Sequence, residues 1–209
     1  MESLHIQSVK DPFTNPDVAG PASTLLGRAE TMGFLHDLGT ISTLDNHLIA
    51  TVLQRLGQTG LLQRTIMLGT ITQMPGDPAG MVNLLEEANT ALEHSPLPLQ
   101  EWTALRPILG DALLARLCGI TEASFRRYAA GTRSTPDAVA QRLHSLALLA
   151  ADLRGAYNDY GIRRWFQRPR AQLGGRTPVE VLPAGWTPES PEMRQLQDLA
   201  GALRGSPAT

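Results

Sequence analysis

At 209 residues, with 42% hydrophobic and 18% charged side chains, the chain has apolar surface for one large or two small domains, and its composition excludes wholesale disorder. The single cysteine, Cys118, excludes an internal disulfide framework and a cysteine-based zinc site and fits a reducing compartment. The net charge of −2 hides an asymmetry: residues 1 to 100 carry four basic and ten acidic side chains, whereas residues 101 to 209 carry fourteen and ten. Between 126 and 176 the bias sharpens to ten arginines against Asp137, Asp152 and Asp159, a density that suits recognition of phosphate or carboxylate, or else forms a solvated helix face.

Met1 to Asp17 lacks the basic and apolar regions of a secretory signal, and no apolar run approaches the roughly 18 residues that span a bilayer, so a cytoplasmic protein without a membrane partner is expected. Residues 1–20, with Pro12 and Pro16 and no periodicity, read as an extended arm. Apolar spacing then predicts helices over about 22–38, through Leu25, Leu26, Ala29 and Met32, and 44–57, through Leu48, Ile49, Val52, Leu53 and Leu56. Leu61 to Met74 leans to helix, and Asp77-Pro78 caps and opens another helix that runs past Met81, Leu85 and Leu92. The Ser95-Pro96-Leu97-Pro98 stretch marks a boundary near 97. Nothing in the region 21–97 carries a chemical signature, and its role stays open.

From Asp111 to Ala130 the order reads as two short helices about Gly119. Leu114, Cys118, Ile120, Phe125 and Tyr128 fall where crossed helices share an apolar seam; Ala115 is small at the close approach, Gly119 accepts the positive φ of a tight turn, and Thr121 caps the second helix. The pattern resembles the helix-turn-helix of Xre-type regulators. In such a unit Thr121, Ser124, Arg126 and Arg127 point outward to double-stranded DNA, and Arg133 follows as a backbone-phosphate contact. A helical hairpin that never meets DNA is the competing reading, and Glu122 at the groove end weighs toward it. Pro136 then opens a helix over about 137–153 with Val139, Leu143, Leu146, Leu149 and Leu153 as its stripe.

The segment from Ile162 to Leu182 reads as a helix end at Trp165, a stop at Pro169, a reversal at Gly174-Gly175 and a new helix capped by Thr177 with Pro178 first and Glu180 in its first turn. Trp165, Leu173, Gly174, Gly175, Thr177, Pro178, Val179 and Leu182 resemble the C-terminal module of the Xre/MbcA/ParS antitoxin family, and with the upstream helix pair the resemblance covers roughly 101 to 205. The family pairs its antitoxin with a RES-domain toxin, an enzyme acting on NAD. The resemblance implies toxin-binding positions at Trp165, Arg168, Arg170, Leu173, Gly174, Gly175, Arg176, Pro178, Arg194 and Leu199. A lone tryptophan ahead of a turn equally suits the core, and the last helix, about 192–203 with Leu196, Leu199 and Leu203 on one face, either docks on a partner or packs on its own domain. The chain departs from the family in the proline-rich insert Pro183 to Pro191, which contains Trp186, and in its additional hundred N-terminal residues.

The five histidines have no metal-ligand spacing, His36-Asp37 reads as surface chemistry, and no phosphate loop or nucleophile elbow is present, so no catalysis, metal or cofactor is expected. The combined expectation is an all-α helical bundle divided into 1–20, 21–97, a helix-turn-helix region 98–155 and a toxin-binding domain 156–209. It acts as a homodimeric antitoxin that binds its toxin and its own promoter, or, in the alternative, as a DNA-binding regulator or architectural protein without a toxin.

Overall fold

The computed structural model describes residues 4–60 and 77–204; the segment Leu61 to Met74, read above as helix, lies outside the described residues. The described chain is all-α apart from one two-stranded parallel ribbon, and it divides between Ser95 and Pro96 into two compact units.

The first unit holds β1 (Ser8–Val9), α1 (Pro16–Thr31), β2 (Thr43–Leu44), α2 (Asn46–Gln58) and α3 (Pro78–Glu93). The expected arm at 1–20 is corrected. Its backbone is laced to residues 41–44, with Gln7 N–H donating to Ser42 O at 2.8 Å and Lys10 N–H to Leu44 O at 2.9 Å, and Phe13 and Val18 are buried. Asn15 caps α1 and Pro16 takes its first position, so the helix starts six residues before the predicted 22; it ends at Thr31 rather than 38, where Gly33 turns at φ 85°. Asp77 caps α3 as read, accepting Gly80 N–H at 2.8 Å, and Asp45, which the sequence reading does not mark as a cap, accepts Leu48 N–H at 3.1 Å at the start of α2. Helices α1 and α3 pack together and are cross-linked by Arg28, which donates to Asn89 O at 2.8 Å, and by the Asn89 amide, which donates to Pro21 O at 2.9 Å.

The second unit holds α4 (Pro98–Leu109), α5 (Asp111–Cys118), α6 (Glu122–Ala129), α7 (Asp137–Arg154), α8 (Asp159–Gln167), a 3-10 turn (Ala171–Leu173), α9 (Pro178–Val181) and α10 (Pro191–Arg204). Its organiser is α7. Beyond the predicted stripe, Ala140, His144, Ser145, Ala147 and Ala150 are also buried, so apolar contact surrounds most of the helix. It packs against α4, α5, α8 and α10, which joins the regions expected as separate domains at 98–155 and 156–209 into one unit. Inside lie Trp102, Leu105, Leu114, Phe125, Leu143, Trp165, Phe166 and Leu196. Trp102 meets Phe125 edge-on at 5.3 Å between centroids. A buried polar pair, Glu101 Oε1 and His144 Nδ1 at 2.6 Å, ties α4 to α7. Among the described residues no helix is long and apolar enough to cross a membrane.

Candidate functional site

Helices α5 and α6 meet as their sequence requires. Leu114, Ala115, Cys118, Phe125 and Tyr128 are buried along one seam, with Ile120 at its edge, and Gly119 stands at φ 68°, where an L side chain is strained. Thr121 Oγ1 accepts the Ser124 N–H at 3.2 Å and closes the N-terminus of α6. Burial of Cys118 pushes its thiol well above the ordinary range.

This seam fixes which side of α6 faces solvent. Of the five residues expected at a DNA contact, Thr121, Arg126, Arg127 and Arg133 are exposed and Ser124 is half-buried. They are partly pre-ordered: Arg127 Nη2 lies 3.5 Å from Ser124 Oγ, and the Arg133 guanidinium sits 5.7 Å from the Tyr128 ring centroid. The Thr121 hydroxyl is engaged in the cap, which reduces its capacity for any external contact. Glu122 is exposed on the same first turn.

The Gly-Gly segment has an equally local cause. Gly174 and Gly175 stand at φ 65° and 81°, two consecutive left-handed residues, and the reversal is closed by Gly175 N–H to Arg170 O at 2.9 Å and Arg170 N–H to Arg176 O at 3.0 Å. Thr177 and Glu180 then form a reciprocal capping box: the carboxylate accepts Thr177 N–H at 2.8 Å, and Thr177 Oγ1 accepts Glu180 N–H at 3.3 Å. The Thr177 backbone and hydroxyl hydrogen bonds hold the Glu180 carboxyl below the usual carboxylate range.

Of the ten positions expected at a toxin contact, Trp165, Leu173 and Pro178 are buried and belong to the interior, where they position the turn instead of presenting themselves to a partner. Arg168, Gly174, Gly175 and Arg176 are exposed, and Arg170 is half-buried with its guanidinium 4.6 Å from the Trp165 ring centroid. Arg194 is exposed and donates to Glu189 O at 2.9 Å. The apolar side of α10 is turned onto α7, the second of its two expected roles: Met193, Leu196 and Ala200 are buried and Leu199 is half-buried. Gln195 Nε2 donates to Gln172 O at 3.1 Å and sets α10 beside the Gly-Gly turn.

The arginine density divides by role. Arg163 donates to Ile108 O at 2.9 Å and to Pro107 O at 2.6 Å, so it closes the C-terminus of α4. Arg142 donates to Cys118 O at 2.9 Å, and Trp186 Nε1 donates to Leu117 O at 2.8 Å; together they close the C-terminus of α5. Arg154 pairs with Asp159 at 3.0 Å. Sequence reasoning missed these clamps, which join residues 24 to 69 positions apart. It also missed Glu101 with His144, although Glu101 lies at helical spacing from Leu105, Ile108 and Leu109 on the buried side of α4. Among the described residues no cluster of three or more histidine, cysteine or acidic side chains is arranged to hold a metal. Comparison with family models, curated proteins and solved structures finds no match for this chain.

Proposed function

We propose that this chain is the antitoxin of a type II toxin–antitoxin system, of the Xre/MbcA/ParS kind, acting without catalysis of its own. The α5–α6 pair serves as a helix-turn-helix that binds promoter DNA, and the exposed arginines around the Gly-Gly turn bind a RES-type toxin. The observation that carries the reading is the exposure of Arg126 and Arg127 on α6, beside a half-buried Ser124 and ahead of an exposed Arg133 in the following turn, on a helix anchored by Phe125 and Tyr128. Guanidinium groups on such a helix can reach both base edges and phosphates of a major groove. A homodimer follows from the usual repeat of half-sites about one helical turn apart.

The basic surface for the toxin is narrower than the resemblance implies, because Trp165, Leu173 and Pro178 are interior. It consists of Arg168, Arg176 and the exposed turn, with Arg194 on the neighbouring α10. Acidic toxin side chains match this chemistry through charge-assisted hydrogen bonds.

The test has two parts. Fluorescence anisotropy with a duplex from the chain's own upstream region should give binding that weakens steeply with salt, and Arg126→Ala should lower the salt slope by about one. Co-expression of the full chain with the neighbouring gene product should give a stable complex that Arg168→Glu with Arg176→Glu breaks. DNA binding without any retained partner turns the conclusion to a regulator without a toxin; neither activity refutes the reading.

A further inference from the structure

Beside α8 lies a cleft of about 250 Å³, lined by Tyr157, Tyr160, Arg164, Trp165, Arg168 and Arg170 with Gly161 at its wall, of which the function proposed above uses only Arg168. Three arginines line it and no acidic residue does. Among the described residues, no ion pair neutralises Arg164, Arg168 or Arg170. Arg164 is steered by Tyr160, donating to its hydroxyl at 2.9 Å with the guanidinium 5.5 Å from the ring centroid. Arg170 is held over the Trp165 ring.

Two residues that line this cleft carry a buried donor without an acceptor. The Trp165 side chain is 1% exposed, and its indole Nε1 has no hydrogen-bond acceptor; the Arg170 Nε is buried and equally without one. Buried donors without acceptors are uncommon in folded proteins, and a pair of them beside clustered cations is what an anion completes. The number of donors favours phosphate over carboxylate: three planar guanidinium forks and an indole N–H exceed what two carboxylate oxygens accept. Tyr160, 63% exposed at the rim, offers an aromatic surface to whatever carries the phosphate.

We propose that this cleft binds a phosphate dianion on a small molecule, either inorganic phosphate itself or the phosphate of an organic monoester whose ring rests against Tyr160. Arg164, Arg168 and Arg170 hold its oxygens, and the Trp165 N–H donates from the inner wall. The inference rests on the cleft alone and requires neither a toxin nor DNA. Concave, half-enclosed donors suit a compact anion better than the convex backbone of a duplex.

Isothermal titration calorimetry on the full chain at low ionic strength tests it, with inorganic phosphate, adenosine 5′-monophosphate and succinate as probes. Arg168→Gln is the site variant, since this side chain is exposed, and Arg116→Gln on α5, an exposed arginine outside every proposed contact, is the control. Saturable binding of a phosphate probe is expected, weakened about tenfold or more by Arg168→Gln and unchanged by Arg116→Gln. Equal affinity for the two phosphate probes identifies the free anion as sufficient; an ester bound about tenfold tighter identifies a ring-bearing ligand, and both support the site. The proposal is overturned by any of three results. These are no saturation by either phosphate probe up to about 10 mM, succinate bound as tightly as phosphate, or equal losses in both arginine variants, which marks diffuse counterion attraction.

Discussion

Replacing Trp186 or Trp165 by phenylalanine removes the same indole N–H from two side chains that are 4% and 1% exposed, yet the two losses differ. The Trp186 N–H is the donor to Leu117 O, a last-turn carbonyl of α5 that has no intrahelical partner, so Trp186→Phe leaves a buried acceptor short of its bond. That costs about 1–3 kcal/mol. Trp165 Nε1 has no acceptor, so Trp165→Phe breaks no hydrogen bond. Both variants lose a similar ring volume, and the bond outweighs the weakened contact of Arg170 with a smaller ring at 165, so Trp186→Phe is expected to be the less stable by about 1–2 kcal/mol. All three tryptophans, Trp102, Trp165 and Trp186, lie in the second unit, so tryptophan emission during urea unfolding follows that unit alone, and each variant keeps two reporters. With a urea slope of about 2 kcal/mol per molar, the midpoints should separate by about 0.5–1 M in phosphate-free buffer. A Trp165→Phe midpoint equal to or below that of Trp186→Phe refutes the reasoning.

Gly174→Ala and Gly175→Ala each force a left-handed residue to carry a Cβ and should lower the stability of the second unit by about 1–2 kcal/mol, read as a shift in urea midpoint; unchanged midpoints would mean that the reversal is not needed. The hydrogen bonds that depress Glu180 add stability that is fully present above its ordinary value near 4.5 and is lost as pH falls through the lower folded value. Glu180→Gln should therefore be less stable at neutral pH and show a shallower acid-side decline between about pH 5 and 3, measured as the urea midpoint against pH. Cys118, buried with its thiol pushed up by desolvation, should resist a disulfide reagent at pH 8 until the unit is unfolded; rapid native labelling would contradict its burial. His144→Ala removes the partner 2.6 Å from a fully buried Glu101 carboxyl and should cost about 3 kcal/mol, whereas a loss below about 1 kcal/mol would show that water or another group takes its place.

What was legible in the sequence was local. Gly119, Thr121, the Gly174-Gly175 reversal and the Thr177–Glu180 capping box each follow from residues within a few positions, because turn geometry and caps are short-range chemistry. Long-range pairing was not legible. The segment before α1 looked unstructured because the acceptors for its backbone lie at residues 41 to 44, and α7 looked one-sided because small residues such as Ala140, Ala147 and Ala150 do not stand out in a pattern built on leucine. The same limit governs the candidate site. Exposure of Arg126 and Arg127 follows from the seam of Phe125 and Tyr128, but nothing local separates Arg163, committed to the α4 carbonyls, from Arg168, exposed five positions later.

The clamp on α5 also orders events in time. Its two helices come early in the second unit, but the indole that closes the Leu117 carbonyl stands 69 positions later. A contact of that span must close a long loop before it contributes, so it belongs to the late stages of folding, whereas the turn at Gly119 belongs to the early ones. During synthesis the α5–α6 pair therefore emerges before the chain can complete it, and only passage of the proline-rich stretch around Trp186 converts a nascent hairpin into a finished element.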